Sequence, residues 1–248
     1  MIDKTLVKKR FEKTLETYDE NAIIQNYMGN KLLELLIKHQ GNEFGNVFEF
    51  GVGSANLTRL ISEKLTYEKL FLNDIVKISK EWADKYVEYS EFLGGDIEQI
   101  DFPADLDLVI SNAAIQWVDF DKLLLRVANS LKSGATFAFS SFGEDNFLEM
   151  AKIFKIGLYY IPMNVLEKKL KKYFEILYIG EDKIELDFHN PKEVLNHIRH
   201  TGVNCCGKHS FYKSTLISFE NEYRKLFSTQ DGVKLTYHPI CVVAKKLA

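Results

Sequence analysis

Apolar and polar positions along this chain change rhythm three times. Over residues 3–40 the apolar positions recur at helical spacing. Leu6, Phe11, Leu15 and Tyr18 mark one face, and Leu32, Leu33, Leu35, Leu36 and Ile37 a second. His39–Glu43 reads as a loop. From Val47 short apolar runs alternate with amphipathic stretches. Strands are expected at Val47–Phe50, Leu70–Asn73, Glu91–Gly94, Leu106–Ser111 and Thr136–Ser141, with helices over 54–65, 76–88 and 119–131 between them. Lys132-Ser133-Gly134 reads as a helix-ending turn. Strand and helix alternating at this length predict an α/β fold with a doubly wound, Rossmann-like parallel sheet, whose ligands sit at the carboxyl ends of the strands.

After Ser141 the pattern becomes mixed. Asn146–Leu158 and Asn164–Tyr173 read as helices and Phe174–Phe188 as extended chain. Pro191–Arg199 reads as a short helix started by Asn190 and Pro191, Thr201–Ser214 as irregular, Phe219–Phe227 as helix and Leu235–Lys245 as a closing strand. The whole is expected to be one domain over 1–248: helices in 1–40, a core over 45–188, a helical cap insertion over 189–230, and a last strand in 231–248.

The most informative stretch is Val47–Asn56, VFEFGVGSAN. A strand breaks at Gly51 and Gly53, and Leu57, Leu60 and Ile61 open a helix. Glycines let the backbone approach a ligand, and the helix start offers free N–H groups. A pyrophosphate fingerprint would place a third glycine at position 56, which is Asn56. Glu49 sits on the strand two residues before Gly51, where a carboxylate disfavours phosphate and favours a cation. This E-x-G-x-G arrangement resembles the first motif of class I S-adenosylmethionine methyltransferases, whose ligand carries an ammonium and a sulfonium. The alternative is a plain strand–helix turn with glycines.

Two more acids follow the next two strands. Asp74 lies about 20 residues beyond Gly51, where an acid can accept both ribose hydroxyls; it can also cap the following helix. Asp96, in Gly94-Gly95-Asp96-Ile97, suits an adenine amino group with Ile97 under the ring, or is a simple turn aspartate. Ile75 and Ala113 belong with these residues as candidate cofactor contacts. The fourth strand runs into Ser111-Asn112-Ala113-Ala114-Ile115-Gln116-Trp117, which resembles the fourth motif of methyltransferases acting on small acids and acyl groups. Asn112 is then expected to line the methyl-transfer site, with Gln116 and Trp117 beginning the wall beside it. Trp117 also suits a core.

Further segments carry a narrower resemblance. Arg10-Phe11, Thr17-Tyr18-Asp19-Glu20-Asn21-Ala22, Ser140–Gly143 with Asn146–Glu149, Pro191–Asn204 and Leu235–His238 are similar to segments of the biotin-pathway malonyl-acyl-carrier-protein O-methyltransferases. Family members often carry Gly-Pro where this chain has Gly143-Glu144-Asp145. The resemblance implies a seven-stranded class I methyltransferase sheet with an N-terminal helical segment and a helical cap, S-adenosylmethionine as cofactor, and methylation of the free carboxylate of malonyl-acyl carrier protein. Such a carboxylate is already ionised at neutral pH, so no general base is required. Its capture in an apolar cleft asks for planar bidentate donors, and Arg199 in the cap is the candidate; pairing with Glu193 or an N-terminal carboxylate is the alternative. Tyr18 is expected to lie over the cofactor. A relative acting on a free small acid such as trans-aconitate shares the N-A-x-x-Q-W run but not the cap or Y-D-x-x-A segments. A nicotinamide dehydrogenase is disfavoured by Glu49 and Asn56; a non-catalytic binding protein stays open.

Composition narrows the partners. The chain has 248 residues, 46% hydrophobic and 27% charged, with net charge −3, so no global basic field points to nucleic acid. The absence of a long apolar run and of a signal-peptide core predicts a soluble, cytoplasmic protein without membrane contact. Cys205, Cys206 and Cys241 form no C-x-x-C. His197 and His200 have a metal-compatible spacing but lack clustered partners beyond Cys205, Cys206 and His209, and no metal is expected. The basic run Lys168, Lys169, Lys171, Lys172 is either a solvated helix face or a dock for an acidic carrier protein; Lys8–Arg10 is the other candidate.

Overall fold

The computed structural model describes residues 4–154, 158–201 and 213–248, without the side chains of 13–20 and 213–215. Two N-terminal helices, α1 (Lys4–Asn21) and α2 (Ile23–Gln40), meet at Ala22. Then follow β1 (Glu43–Phe50), α3 (Asn56–Lys64), β2 (Thr66–Asp74), α4 (Ser79–Ala83), β3 (Glu91–Gly94), β4 (Leu106–Ser111), a 3-10 turn (Ile115–Trp117), α5 (Phe120–Ser130) and β5 (Leu131–Phe142). The second half holds α6 (Leu148–Phe154), α7 (Met163–Leu170), β6 (Phe174–Glu181), β7 (Ile184–Phe188), α8 (Pro191–His200), α9 (Lys213–Phe227), β8 (Val233–Tyr237) and β9 (Pro239–Lys246).

Seven strands form one sheet in the order β3-β2-β1-β4-β5-β9-β6. The first five are parallel, and β9 runs antiparallel between β5 and β6. Phe50 pairs with Asn73, Asp74 with Gly94 and Glu49 with Ile110, so the carboxyl ends of β1–β4 align at one edge. Phe48, Phe50, Val109, Phe137 and Phe139 bury one face of the sheet, and Val47, Leu70, Leu72, Leu108 and Ile110 the other. Runs apolar on both faces are what a parallel sheet covered by helices requires. In α2 the stripe Ile24, Gln25, Met28, Leu32, Leu33, Leu36 is buried, at the spacing of one helical face.

Several elements depart from the sequence reading. The expected turn over 132–134 lies inside β5, where pairing with β4 jumps from Leu131 to Thr136 while β4 advances only from Leu106 to Leu108. Gly134 at φ +76° supplies the bend of this bulge. The helix expected over 76–88 is regular only over Ser79–Ala83, continuing to Val87 in tight turns. Positive φ at Phe147 (+57°) keeps α6 from starting at Asn146.

The largest departure is the closing strand. It breaks at His238, a buried residue whose Nδ1 accepts from the Asp145 N–H (3.1 Å) and whose ring Nε2 meets Glu181 (2.9 Å). β8 before the break pairs with β7 in a separate two-stranded sheet, and β9 after it enters the main sheet. The extended stretch 174–188 divides likewise, β6 to the large sheet and β7 to the small one. The small sheet packs with α6, α8 and α9 around Val194, Ile198, Phe219, Tyr223, Leu235 and Tyr237. Helices α8 and α9 of the 189–230 segment thus pack with α6, β7 and β8, which flank it in sequence.

Candidate active site

The glycine turn after β1 is held by backbone bonds from the Gly51 N–H (2.8 Å) and Val52 N–H (3.2 Å) to the Asn73 carbonyl. Gly51 has φ +72° and Gly53 φ +56°, conformations that side chains resist. A Cβ on Gly51 would lie 2.5 Å from the Ala114 Cβ, whereas one on Gly53 would meet nothing within 4 Å. Gly51 is thus fixed by close packing as well as by backbone angle.

Gly51, Gly53, Asp74, Ile75, Asp96, Ile97, Asn112 and Ala113 line one cavity at the aligned strand ends. Asp74 is buried, and its carboxylate accepts from the Gly53 N–H (2.8 Å) and the Val76 N–H (2.7 Å). It fastens the glycine turn while facing the cavity. Burial raises its pKa to about 6, against the lowering effect of the backbone N–H groups of Gly53, Val76 and Ile75. Asp96 accepts both from Lys4 Nζ (2.7 and 2.8 Å) and from the Glu98 N–H (3.0 Å), and Lys4 also pairs with Glu98 (2.7 Å).

Asn112 sits at the end of β4 in a polar chain. Its Nδ2 donates to the Gln25 carbonyl (2.9 Å), and its Oδ1 accepts from the Ser140 hydroxyl. Ser140 in turn accepts the Ala113 N–H at both its Oγ (3.0 Å) and its carbonyl (3.2 Å). These bonds hold Ala113 at φ +52°, a strained conformation for a residue with a Cβ.

Three candidates, Glu49, Asn56 and Arg199, do not reach the cavity wall. Glu49 is 1% exposed, and its carboxylate accepts from Thr58 Oγ1 (2.7 Å) behind the glycine turn. Burial, opposed by the Thr58 bond and assisted by the Asp74 charge, pushes its pKa to about 8. Asn56 begins α3 and its Nδ2 donates to Ser54 Oγ (3.2 Å). Arg199 is exposed on the last turn of α8, a helix that packs against α1. Glu193 meets Asn190 and His189 rather than Arg199. The Tyr18 side chain, like Cys205, Cys206 and His209, lies outside the described residues.

The sequence reading missed the cavity's fourth side. Lys4, Val7 and Phe11 of α1 close it, with Phe11 edge-on to Trp117 at 5.9 Å. The Leu6/Phe11 periodicity marked an apolar face without showing what it covers. Two lining residues also carry buried polar atoms without a partner among the described residues, Ser79 Oγ and Trp117 Nε1. Among the described residues no group of three His, Cys, Asp or Glu is placed to hold a metal, and no helix is long and apolar enough to cross a membrane.

The raised Glu49 pKa has a measurable consequence. An acid whose pKa rises on folding binds more protons folded than unfolded, so stability falls as pH climbs from its ordinary 4.5 through about 8. Glu49→Gln keeps an acceptor for Thr58 and removes the charge. Thermal melts from pH 5 to 9 should decline less steeply than for the native chain, with a net gain of about 1–2 kcal/mol at pH 9 after the cost of an added buried amide N–H. Parallel pH curves would show that Glu49 does not titrate in this range.

A seven-stranded sheet whose one antiparallel strand, β9, lies between β5 and β6, with an acid within β1 just before a glycine turn and further acids closing β2 and following β3, defines the class I methyltransferase architecture. Residues 48–139 match the family model described as a methyltransferase domain. The N-methyltransferase NodS of Bradyrhizobium japonicum, solved with S-adenosyl-L-homocysteine, shares the fold at TM-score 0.61 and 11% identity, over 97% of this chain and 98% of that one. Malonyl-[acyl-carrier protein] O-methyltransferases are far nearer in sequence. That of Chlorobium luteolum is 38% identical over 99% of this chain and 97% of its own length, and that of Chlorobium phaeovibrioides 39% over 98% and 97%. The chain belongs to the malonyl-[acyl-carrier protein] O-methyltransferase family.

Proposed function

We propose that this chain transfers a methyl group from S-adenosylmethionine to the free carboxylate of a malonyl thioester on acyl carrier protein, giving the methyl ester that opens the pimeloyl branch of biotin synthesis. The observation that carries the reading is identity at 38% across essentially the full length of a relative bearing that name. The cavity's chemistry fits the cofactor. It has glycines where a backbone must approach a ligand, acids at two depths, and orphaned Ser79 Oγ and Trp117 Nε1 on its wall. Bound there, the cofactor supplies a methyl group already activated on a sulfonium.

In this reading Gly51 and Gly53 admit the amino-acid end. Asp74 accepts the ribose hydroxyls and Asp96 the adenine amino group, with Ile75 and Ile97 against the ring. Glu49 stands behind the turn, where a cationic ligand would favour its ionised form over the protonated one, and Asn56 orders the start of α3. Asn112 and Ala113 form the floor of the transfer site, and Tyr18 closes over it. Methyl transfer to an ionised carboxylate needs alignment and exclusion of water rather than proton removal. The described wall fits this: it holds no histidine or cysteine, and its single cation, Lys4, is engaged by Asp96 and Glu98.

An unpaired anion in such a cleft is costly. Arg199, reaching from the edge of α8 beside α1, is the proposed clamp. Arg199→Ala should cost roughly 2–4 kcal/mol in kcat/KM for malonyl-carrier protein, with S-adenosylhomocysteine affinity little changed, and Arg199→Lys should retain part of the activity. Turnover and cofactor titration on the same preparations decide it; native-like methylation by Arg199→Ala eliminates the clamp. Absence of methylation of malonyl-carrier protein by the native chain would refute the function itself.

The basic run on and after α7 is the proposed carrier dock. Lys169 pairs with Asp121 and Lys171 with Glu167, leaving Lys168 and Lys172 exposed without an ion-pair partner among the described residues. Reversing both to glutamate should raise the KM for malonyl-carrier protein several-fold, spare a short malonyl thioester, and be mimicked by added salt. An unchanged KM moves the dock elsewhere, with Lys8–Arg10 the next candidate.

A further inference from the structure

A second cavity of about 480 Å³ lies on the other side of the segment that carries Asn112, a volume within the range of small-ligand sites, ~300–1,000 Å³. Its wall is mostly apolar, with Phe142 and Ile161, and is set with polar groups, Gln116, Ser141, Tyr160 and Asp119, and the ion pair Lys169–Asp121. Only residues 113–118 divide it from the cofactor cavity. Val118 lines both. Gln116 lines the second, while its Nε2 donates to the carbonyl of Ala113 (2.6 Å), which lines the first. The end of β5 repeats the division. Ser140 bonds Asn112 and the Ala113 N–H on the cofactor side, and the next residue, Ser141, faces Gln116, as successive strand side chains point oppositely. At its outer end the cavity reaches Lys169, on the helix that carries the basic run.

We propose that this second cavity is the subsite for the pantetheine arm through which the carrier presents its acyl group. The assignment rests on the carrier-thioester reading above. The arm is a thin chain in which short methylene runs, two amides and a hydroxyl-bearing branched carbon alternate, and it ends in a phosphodiester at the carrier surface. A mostly apolar cavity with spaced amide, hydroxyl and phenol groups suits the chain. Lys169 at the outer end is held by Asp121, so the phosphate falls to exposed Lys168 and Lys172 of the same basic run. The inner end, at Gln116 and Ser141, delivers the thioester beside Asn112. One structural line then joins carrier dock, arm and transfer site.

The test compares malonyl-pantetheine with malonyl methyl thioester, which has the same acyl group and no arm. The native enzyme should prefer malonyl-pantetheine by at least 10-fold in kcat/KM. Ile161→Trp, which narrows the cavity from its half-buried wall, should raise the KM for malonyl-pantetheine about 10-fold. It should leave the methyl thioester and S-adenosylhomocysteine affinity unchanged within twofold. Leu158→Trp, at another point of the wall, should behave alike and stands in should the first variant fail to fold. Equal use of both thioesters by the native enzyme, or equal damage to both by the folded variants, overturns the assignment. The native preference needs no variant at all. Failure of the native chain to methylate any malonyl thioester would instead remove the functional reading on which the assignment rests.

Discussion

Gly51→Val should abolish cofactor binding. The new Cβ would stand 2.5 Å from that of Ala114, on a backbone at φ +72°. Left-handed geometry alone costs an ordinary residue about 1–2 kcal/mol, and a β-branched one more. The clash cannot be relieved cheaply, because Ala114 follows Ala113, itself held in a strained conformation by Ser140. The turn must therefore shift into the cavity or away from Asn73, and either movement spoils the approach of a ligand. Titration with S-adenosylhomocysteine should show no saturable binding, and the melting temperature should fall. Gly53→Ala provides the control: its φ is +56° but its Cβ meets nothing within 4 Å, so it should cost only about 1 kcal/mol. Native-like affinity in folded Gly51→Val protein would place the ligand elsewhere.

Asp74→Ala should show the second-largest effect, through two separable routes. The carboxylate fastens the Gly53 and Val76 N–H groups, and losing it leaves buried donors unpaired, at about 1–3 kcal/mol of stability. It also removes the proposed acceptor for the ribose hydroxyls, which should weaken S-adenosylhomocysteine binding by about 1–3 kcal/mol. Asp74→Asn separates the routes, because its amide oxygen still accepts a backbone N–H while the charge is gone. That variant should melt close to the native chain and still bind poorly. Unchanged affinity in folded Asp74→Asn would reduce Asp74 to an organiser of the turn.

The expected pH dependence, the Arg199 clamp and the Lys168/Lys172 dock test other parts of the molecule. Arg199 and the lysines lie outside the cofactor cavity. Changes there should spare cofactor affinity, whereas changes at Gly51 and Asp74 should remove it.

What could be read from the residues alone was whatever depends on neighbours in sequence. The break of an apolar strand by Gly51 and Gly53, the acid closing β2, Asp96 after β3 and Asn112 after β4 are each local signals. Parallel pairing then brings the ends of those strands to one edge, so local signals sum to a site. The start of α8 was legible for the same reason, since the Asn190 cap and Pro191 act within one turn. Tertiary packing decided the remainder. The α1 face that covers the cavity, Lys4 against Asp96 and Glu98, and the burial of Glu49 against Thr58 all join segments whose meeting no local pattern encodes. Likewise the closing strand reads as one continuous apolar run, yet it breaks at His238. The break follows from contacts of His238 with Asp145 and Glu181, far away in sequence, and from the chance to pair β8 with β7 and β9 with β5 and β6. Periodicity tells which side of a strand is buried; only the folded chain settles which sheet receives it.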